Sequence, residues 1–260
     1  LAVNLVQVPQ TLSLEMAKSY LDQLEKRRNE ETLKAAETFF EEAAVPGVVH
    51  QQPAYDIASG ISGLVELRPA TRLVLLEWHG RLKPSLIRQD VAKKVVRSAP
   101  CDVGVFLDRG LETARKILIP EGGGPHARMG LRLAKNLLAD EEGEIVLLRV
   151  ISPSAEDEEE QREALEHLIQ EELDEMPEDV HPKILREDSI VNGVLAEAEE
   201  GYDLVVVGAS EQWGLENLLF GNKPDRIADH APCSVLMLRK WEPRPIPRLR
   251  RWLEDLRNQE

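Results

Sequence analysis

Short apolar runs alternate with amphipathic stretches through residues 117–238. Ile117, Leu118 and Ile119 form a β-branched run that stops at Pro120, and Leu131, Ala134 and Leu138 then recur on one face of a helix predicted over 127–139. Between them lies the glycine-rich stretch 121–126. Residues 145–150 predict a second strand, and 154–176 an acidic helix with Leu165, Leu168, Ile169 and Leu173 as its buried stripe. A third strand at 183–185 precedes a helix over 189–200 that Gly201 stops. Residues 204–207 make a fourth strand running into Gly208, and a helix over 223–230 leads to a fifth at 234–238. Continuous apolar strands separated by helices mark a parallel sheet covered on both faces, because helical crossovers are what join parallel neighbours. In such sheets ligands sit beyond the carboxyl ends of the strands, where the strand order reverses. Both glycine loops, after Ile119 and after Val207, fall at that end.

The pattern occurs twice. Ala99-Pro100-Cys101-Asp102-Val103 returns as Ala231-Pro232-Cys233-Ser234-Val235, an offset of 132 residues (233 minus 101). Solenoid units recur every 20 to 50 residues or so, so this spacing is that of whole small domains, and two of them suit the length. Residues 2–9 align with 145–152, so the first copy begins at its second strand. Residues 9–44 predict one or two helices over the first sheet.

The run Leu204-Val205-Val206-Val207-Gly208, Gly221 before a short helix, and residues 230–239 resemble the carboxyl-terminal half of a universal stress protein domain. The resemblance covers 117–239 well and 2–108 more faintly. It implies an α/β chain of two tandem parallel-sheet domains with strand order 3-2-1-4-5. The expected organisation is a degenerate, truncated domain over 1–110, a linker over 111–116, a second domain over 117–240 and a Pro/Arg-rich tail over 241–260. In that topology strand one is the middle of the sheet, and the first copy lacks it. Buried backbone does not tolerate two unpaired inner edges, so the absent strand is expected from upstream residues of a longer polypeptide or from another chain. The family also pairs domains through strand five, which predicts a pseudo-dimer within the chain and homo-oligomers beyond it.

The family's nucleotide pattern is Gly-x2-Gly-x9-Gly-Ser/Thr after strand four, with an Asp after strand one. Gly208 and Gly221 hold the outer positions here, whereas Glu211 replaces the middle glycine, Asn222 the Ser/Thr, and Gly122 stands where the Asp would fall. Such loops work because glycine backbone approaches phosphate closely and helix-start amides hold the anion. Two unit charges at ~4 Å cost about 1 to 4 kcal/mol, so Glu211 opposes phosphate. The candidate site, for ATP, ADP, AMP or a cyclic dinucleotide, is Pro120, Gly122, Gly123, Gly124, Gly208, Gly221, Asn222 and Lys223. In the first copy Gln89 and Asp90 stand opposite Gly221 and Asn222, and Glu77 stands where strand four should meet its glycine, so nucleotide is not expected there.

The chain carries 47 acidic and 32 basic residues, a net charge of -15, which argues against nucleic-acid backbone as a partner. Residues 156–160 open a helix, where negative charge suits the amino-terminal dipole. Cys101 and Cys233 read as two buried thiols. The six histidines lack paired metal-ligand spacing, and His126 alone sits in a glycine loop. No nucleophile elbow and no complete phosphate loop occurs, so no enzyme is expected. After the prolines of 243–247, Leu249, Trp252, Leu253 and Leu256 share a face ringed by arginines. This segment, 248–258, is expected as a short helix packed on protein or on an anionic membrane surface.

The runs 122–127, 208–211 and 219–225 resemble the paired stress-protein domains appended to bacterial membrane transporters: amino-acid permeases, cation/proton antiporters and chloride channels. The resemblance implies a cytosolic, non-catalytic regulatory or assembly module tethered to the inner membrane. Its partner would be the membrane portion of the transporter. A free-standing, ATP-binding stress protein and a ligand-free structural interaction module are the two alternatives. No segment approaches the ~20 apolar residues of a membrane helix, and none resembles a signal peptide.

Overall fold

The computed structural model describes residues 1–19, 30–78, 86–138, 142–155, 157–174, 176–209 and 220–241. The loop containing Ser210 and Glu211, the tail beyond Trp241 and His79 lie outside these residues, as do the side chains of Gln89 and Asp90. The described elements run β1 (Ala2–Gln7), α1 (Glu30–Glu42), β2 (Val49–Ala54), α2 (Ile57–Glu66), β3 (Leu73–Trp78), α3 (Leu86–Ser98) and β4 (Asp102–Leu107). They continue β5 (Lys116–Pro120), α4 (Pro125–Leu137), β6 (Glu144–Ile151), α5 (Glu158–Leu173), β7 (Val180–Arg186), α6 (Ile190–Ala198), β8 (Leu204–Gly208), α7 (Asn222–His230) and β9 (Ser234–Arg239).

The fold is α/β. Seven strands form one sheet in the order β3-β4-β9-β8-β5-β6-β7, and β1 and β2 form a separate parallel pair. From β7 to β9 the order in chain sequence is third, second, first, fourth, fifth, with β5 central and its neighbours parallel. Pairing turns antiparallel at one seam alone among the described strands: Val105 of β4 stands opposite Met237 of β9. Both strands follow the repeated Ala-Pro-Cys phrase, so the two halves of the chain share a continuous backbone ladder there.

Local chemistry sets the boundaries. α4 begins at Pro125 because a proline has no N–H to leave unsatisfied in the first turn. Asp56 caps α2 by accepting from the Ser59 amide at 2.9 Å, and Ser189 caps α6 by accepting from Asn192 at 3.3 Å. α5 opens with Glu158, Glu159 and Glu160, whose charge the helix dipole favours, and starts later than 154 because Ser152 holds residues 154 and 155 in a turn. β7 is longer than its apolar core 183–185; it tolerates Pro182 because it is an edge strand.

Two apolar layers sandwich the sheet. One packs α4 and α5 over Ile119, Leu147, Val206 and Leu238. The other packs α2, α3, α6 and α7 over Val105, Leu148, Val205 and Met237, and extends through both halves of the chain. Cys101 is buried and Cys233 half-buried, both as free thiols.

Candidate functional site

β5 hands the chain through α4 to β6 on one side, while β8 lies on its other side. The carboxyl ends of β5 and β8 therefore flank the point where strand order reverses, the ordinary ligand crevice of such sheets. Pro120 closes β5, residues 121–124 turn the chain, and α4 starts at once. Gly123 takes φ +89°, which an L side chain rarely adopts. A Cβ on Gly122, Gly123 or Gly124 would meet no heavy atom within 4 Å, so the loop faces open space on the side of its glycines.

One residue that the sequence reading passed over shapes this loop. Glu121 is buried, 5% exposed, in a loop otherwise made of glycine. Its Oε1 accepts the Gly123 N–H and its Oε2 accepts Arg149 Nε at 2.9 Å, with a second bond from Arg149 Nη2. Arg149 in turn donates from Nη1 to Gln161 Oε1 at 3.0 Å, and the Glu121 amide donates to Leu148 O at 2.8 Å. The carboxylate is thus neutralised and occupied; it holds the turn shut on itself and adds no unpaired negative charge to the crevice.

Gly208 has a steric duty. A Cβ there would lie 2.5 Å from His126 Cβ and 3.2 Å from the Ala127 nitrogen, so only glycine lets the start of α4 sit against the end of β8. His126 Nδ1 accepts the Lys240 N–H at 2.9 Å, which assigns the ring proton to Nε2. The imidazole therefore stitches the glycine loop to the chain leaving β9, and its Nδ1 is engaged there.

Gly221, the N-cap of α7, is buried at φ +115° and ψ +166°. Asp225 Oδ1 accepts the Phe220 N–H at 2.9 Å, closing that turn, and the Phe220 ring is fully buried. Asn222 and Lys223 are exposed in the first turn of α7. The candidate residues accordingly divide. Pro120, Gly122, Gly123 and Gly124 form one loop that Gly208 abuts through His126. Gly221, Asn222 and Lys223 begin a helix packed on the opposite face of the sheet from α4. In the first half, Gln89 and Asp90 fall inside α3 and Glu77 inside β3.

A concavity of about 520 Å³ lies away from this loop, at the amino ends of β5, β6 and β7. Its charges neutralise one another. Lys183 Nζ reaches Glu197 Oε1 at 2.7 Å, Tyr202 Oη donates to the same oxygen at 2.6 Å, and Lys116 stands 4.6 Å from the centre of the Tyr202 ring. Burial, and then the bond to Glu197, push the Tyr202 phenol far above its ordinary value.

Residues 113–239 match the model of the universal stress protein family. They carry a universal stress protein domain. Solved structures agree on the fold. A universal stress protein from Archaeoglobus fulgidus DSM 4304 superposes with a TM-score of 0.59 at 17% identity, covering 91% of this chain and 87% of that one. A putative universal stress protein from Pseudomonas aeruginosa UCBPP-PA14 gives 0.55 at 17% identity, covering 98% and 96%. A functionally unknown protein from Pseudomonas aeruginosa PAO1 gives 0.50 at 16% identity, covering 100% and 97%. At these identities the likeness is one of fold. No curated protein matches the chain.

Proposed function

We propose that this chain is a non-catalytic regulatory module whose stress-protein domain holds an adenine nucleotide at the carboxyl ends of β5 and β8. The observation that carries this reading is the loop 121–124. Glu121 fixes its shape, its three glycines leave the space above it empty, and it delivers the chain into the amino terminus of α4. A preformed loop of this kind offers close backbone approach and a positive helix end to phosphate. Lys223 would add a mobile positive charge from α7. A bound nucleotide would act by favouring one arrangement of the module, and only as far as its affinity differs between arrangements. The setting proposed, on the resemblance of residues 122–127 and 208–225 to transporter-appended domains, is the cytosolic side of a membrane transporter. Among the described residues no helix is long and apolar enough to cross a membrane.

A ligand-free interaction module is the second reading, and one observation favours it: Gly208 and Gly221 each have a packing or turn duty that would keep them without any ligand. Calorimetric titration with ATP, ADP, AMP and cyclic dinucleotides separates the two, with Gly122→Val as the control. Position 122 has open space and no left-handed backbone, so the substitution blocks the loop without disturbing the fold. Saturable binding that weakens at least tenfold in the variant supports the nucleotide reading. Silence at millimolar nucleotide leaves the interaction module.

A further inference from the structure

Three consecutive residues leaving β9 are held in turn by the first half of the chain, by the start of α4 and by the first half again. Arg239, 4% exposed, donates from Nη2 to Ala99 O at 3.1 Å. The Lys240 N–H donates to His126 Nδ1 at 2.9 Å, and the Trp241 N–H donates to Asp102 Oδ1 at 2.6 Å. Ala99 and Asp102 belong to the repeated phrase that leads into β4, whereas His126 stands in the first turn of α4, directly after the loop 121–124. The exit of β9 therefore bonds to both sides of the molecule within two residues.

These bonds are mechanically linked. The Lys240 and Trp241 amides lie in adjacent peptide planes that share the Lys240 Cα, so only the two backbone torsions of that residue separate them. At the other end, Pro125 has no N–H, which makes the His126 amide the first that α4 carries. The residue whose backbone stands at the anion-favouring end of α4 is thus the one whose side chain holds Lys240. Gly208 backs it: a Cβ there would lie 2.5 Å from His126 Cβ, so the start of α4 sits tight against the end of β8. Fixing the start of α4 fixes the imidazole and, through it, both peptide planes. Releasing Trp241 from β4 loosens the same imidazole.

We infer that His126 is a positioning residue that couples the loop after β5 to the first half of the chain, so that a phosphate group on the loop tightens the Asp102–Trp241 clasp. The ligand class rests on the nucleotide reading above; the link itself operates without a ligand. The coupling is reciprocal: by whatever factor the ligand strengthens the clasp, the intact clasp strengthens ligand binding. A single ordinary hydrogen bond transmits at most about fivefold. The first half, whose own crevice is not expected to hold nucleotide, thereby answers to occupancy of the second.

Hydrogen exchange of the 260-residue chain, resolved at the Lys240 and Trp241 amides, tests the link with no ligand present. His126→Leu removes the acceptor, whereas His126→Asn keeps one, since the Asn side-chain oxygen reaches the place of Nδ1. The expected result is exchange about two- to fivefold faster at both amides in His126→Leu, parental exchange in His126→Asn, and β7 unchanged in each. Asp102→Ala works from the opposite side and should speed exchange at Lys240 as well as at Trp241; it decides the matter alone if His126→Leu does not fold. A response confined to Lys240 in His126→Leu, or to Trp241 in Asp102→Ala, would overturn the inference. So would failure of Asn to restore the bond, or a rise that extends evenly to β7. Saturating ATP provides the second arm. It should slow exchange at Trp241 in the parent and in His126→Asn but not in His126→Leu, and calorimetry should find affinity about two- to fivefold weaker in Asp102→Ala. ATP binding that leaves Trp241 unmoved in the parent overturns the inference while the nucleotide site stands. Absence of ATP binding in the parent, with the two amides moving together in the ligand-free variants, overturns the nucleotide reading and supports the link.

Discussion

Asp102 Oδ1 accepts the backbone N–H of Trp241 at 2.6 Å, and its counterpart in the repeated phrase, Ser234 Oγ, accepts the N–H of Arg109 at 2.8 Å. The residue after each cysteine thus clasps the chain leaving the strand opposite, so the β4–β9 seam is closed at both ends by the same device. Arg109 and Arg239 reinforce it, donating to Cys233 O at 3.0 Å and to Ala99 O at 3.1 Å. Asp102→Ala and Ser234→Ala should each destabilise the fold by about 1 kcal/mol, the net worth of an ordinary hydrogen bond. Chemical denaturation of the two variants checks this. The double variant should show the sum, because the clasps sit at opposite ends of the seam.

Glu121→Gln should be far more costly. It leaves the partly buried Arg149 guanidinium without its counter-charge, and breaking one partner of a buried pair costs about 3 to 5 kcal/mol. Denaturation measures the loss. Replacing both residues, Glu121→Gln with Arg149→Met, should recover much of it, because the stranded charge is then gone.

The glycines separate by their surroundings. Gly208→Ala drives a Cβ into His126 and the Ala127 backbone, and overpacking of this kind costs about 1 to 3 kcal/mol. Gly122→Ala meets open space and should leave the thermal midpoint unchanged. A melt of the two variants side by side decides whether Gly208 serves packing.

The Asp56 cap predicts a pH signature. Hydrogen bonds from the Ser59 side chain and amide, with Lys94 adding to them, hold its carboxyl below the ordinary range. A group whose folded value is lowered contributes stability above its unfolded value, and that contribution is lost as pH falls through the folded value. Asp56→Ala should therefore cost about 1 kcal/mol at neutral pH, typical of an N-cap. The difference from the parent should shrink below about pH 4, where the unfolded carboxyl protonates, and vanish once the cap itself is protonated. Denaturation of parent and variant from pH 2 to pH 7 gives the curve.

The strands and helices of residues 117–238 were legible because apolar runs, helix stops and the repeated phrase all agree. Glu121 was not. A lone glutamate in a glycine loop reads as solvated, and its burial depends on Arg149, 28 residues away on β6. The available signal was that arginine itself, a single charge inside the apolar run 145–150. Gly208 was read as a phosphate glycine because its constraint is a contact with His126, which sequence spacing does not reveal. The second constraint, Gly221 at positive φ, was readable only as a turn before a helix.

The central claim is that nucleotide lies on the loop after β5, and hydrogen–deuterium exchange with and without saturating ATP tests it most directly. The account predicts slower exchange at the amides of residues 122–127 and at the start of α7, with β7 and α6 unchanged. Unaltered exchange in 122–127, or protection confined to the cluster around Glu197 and Tyr202 at the other end of the sheet, would contradict it.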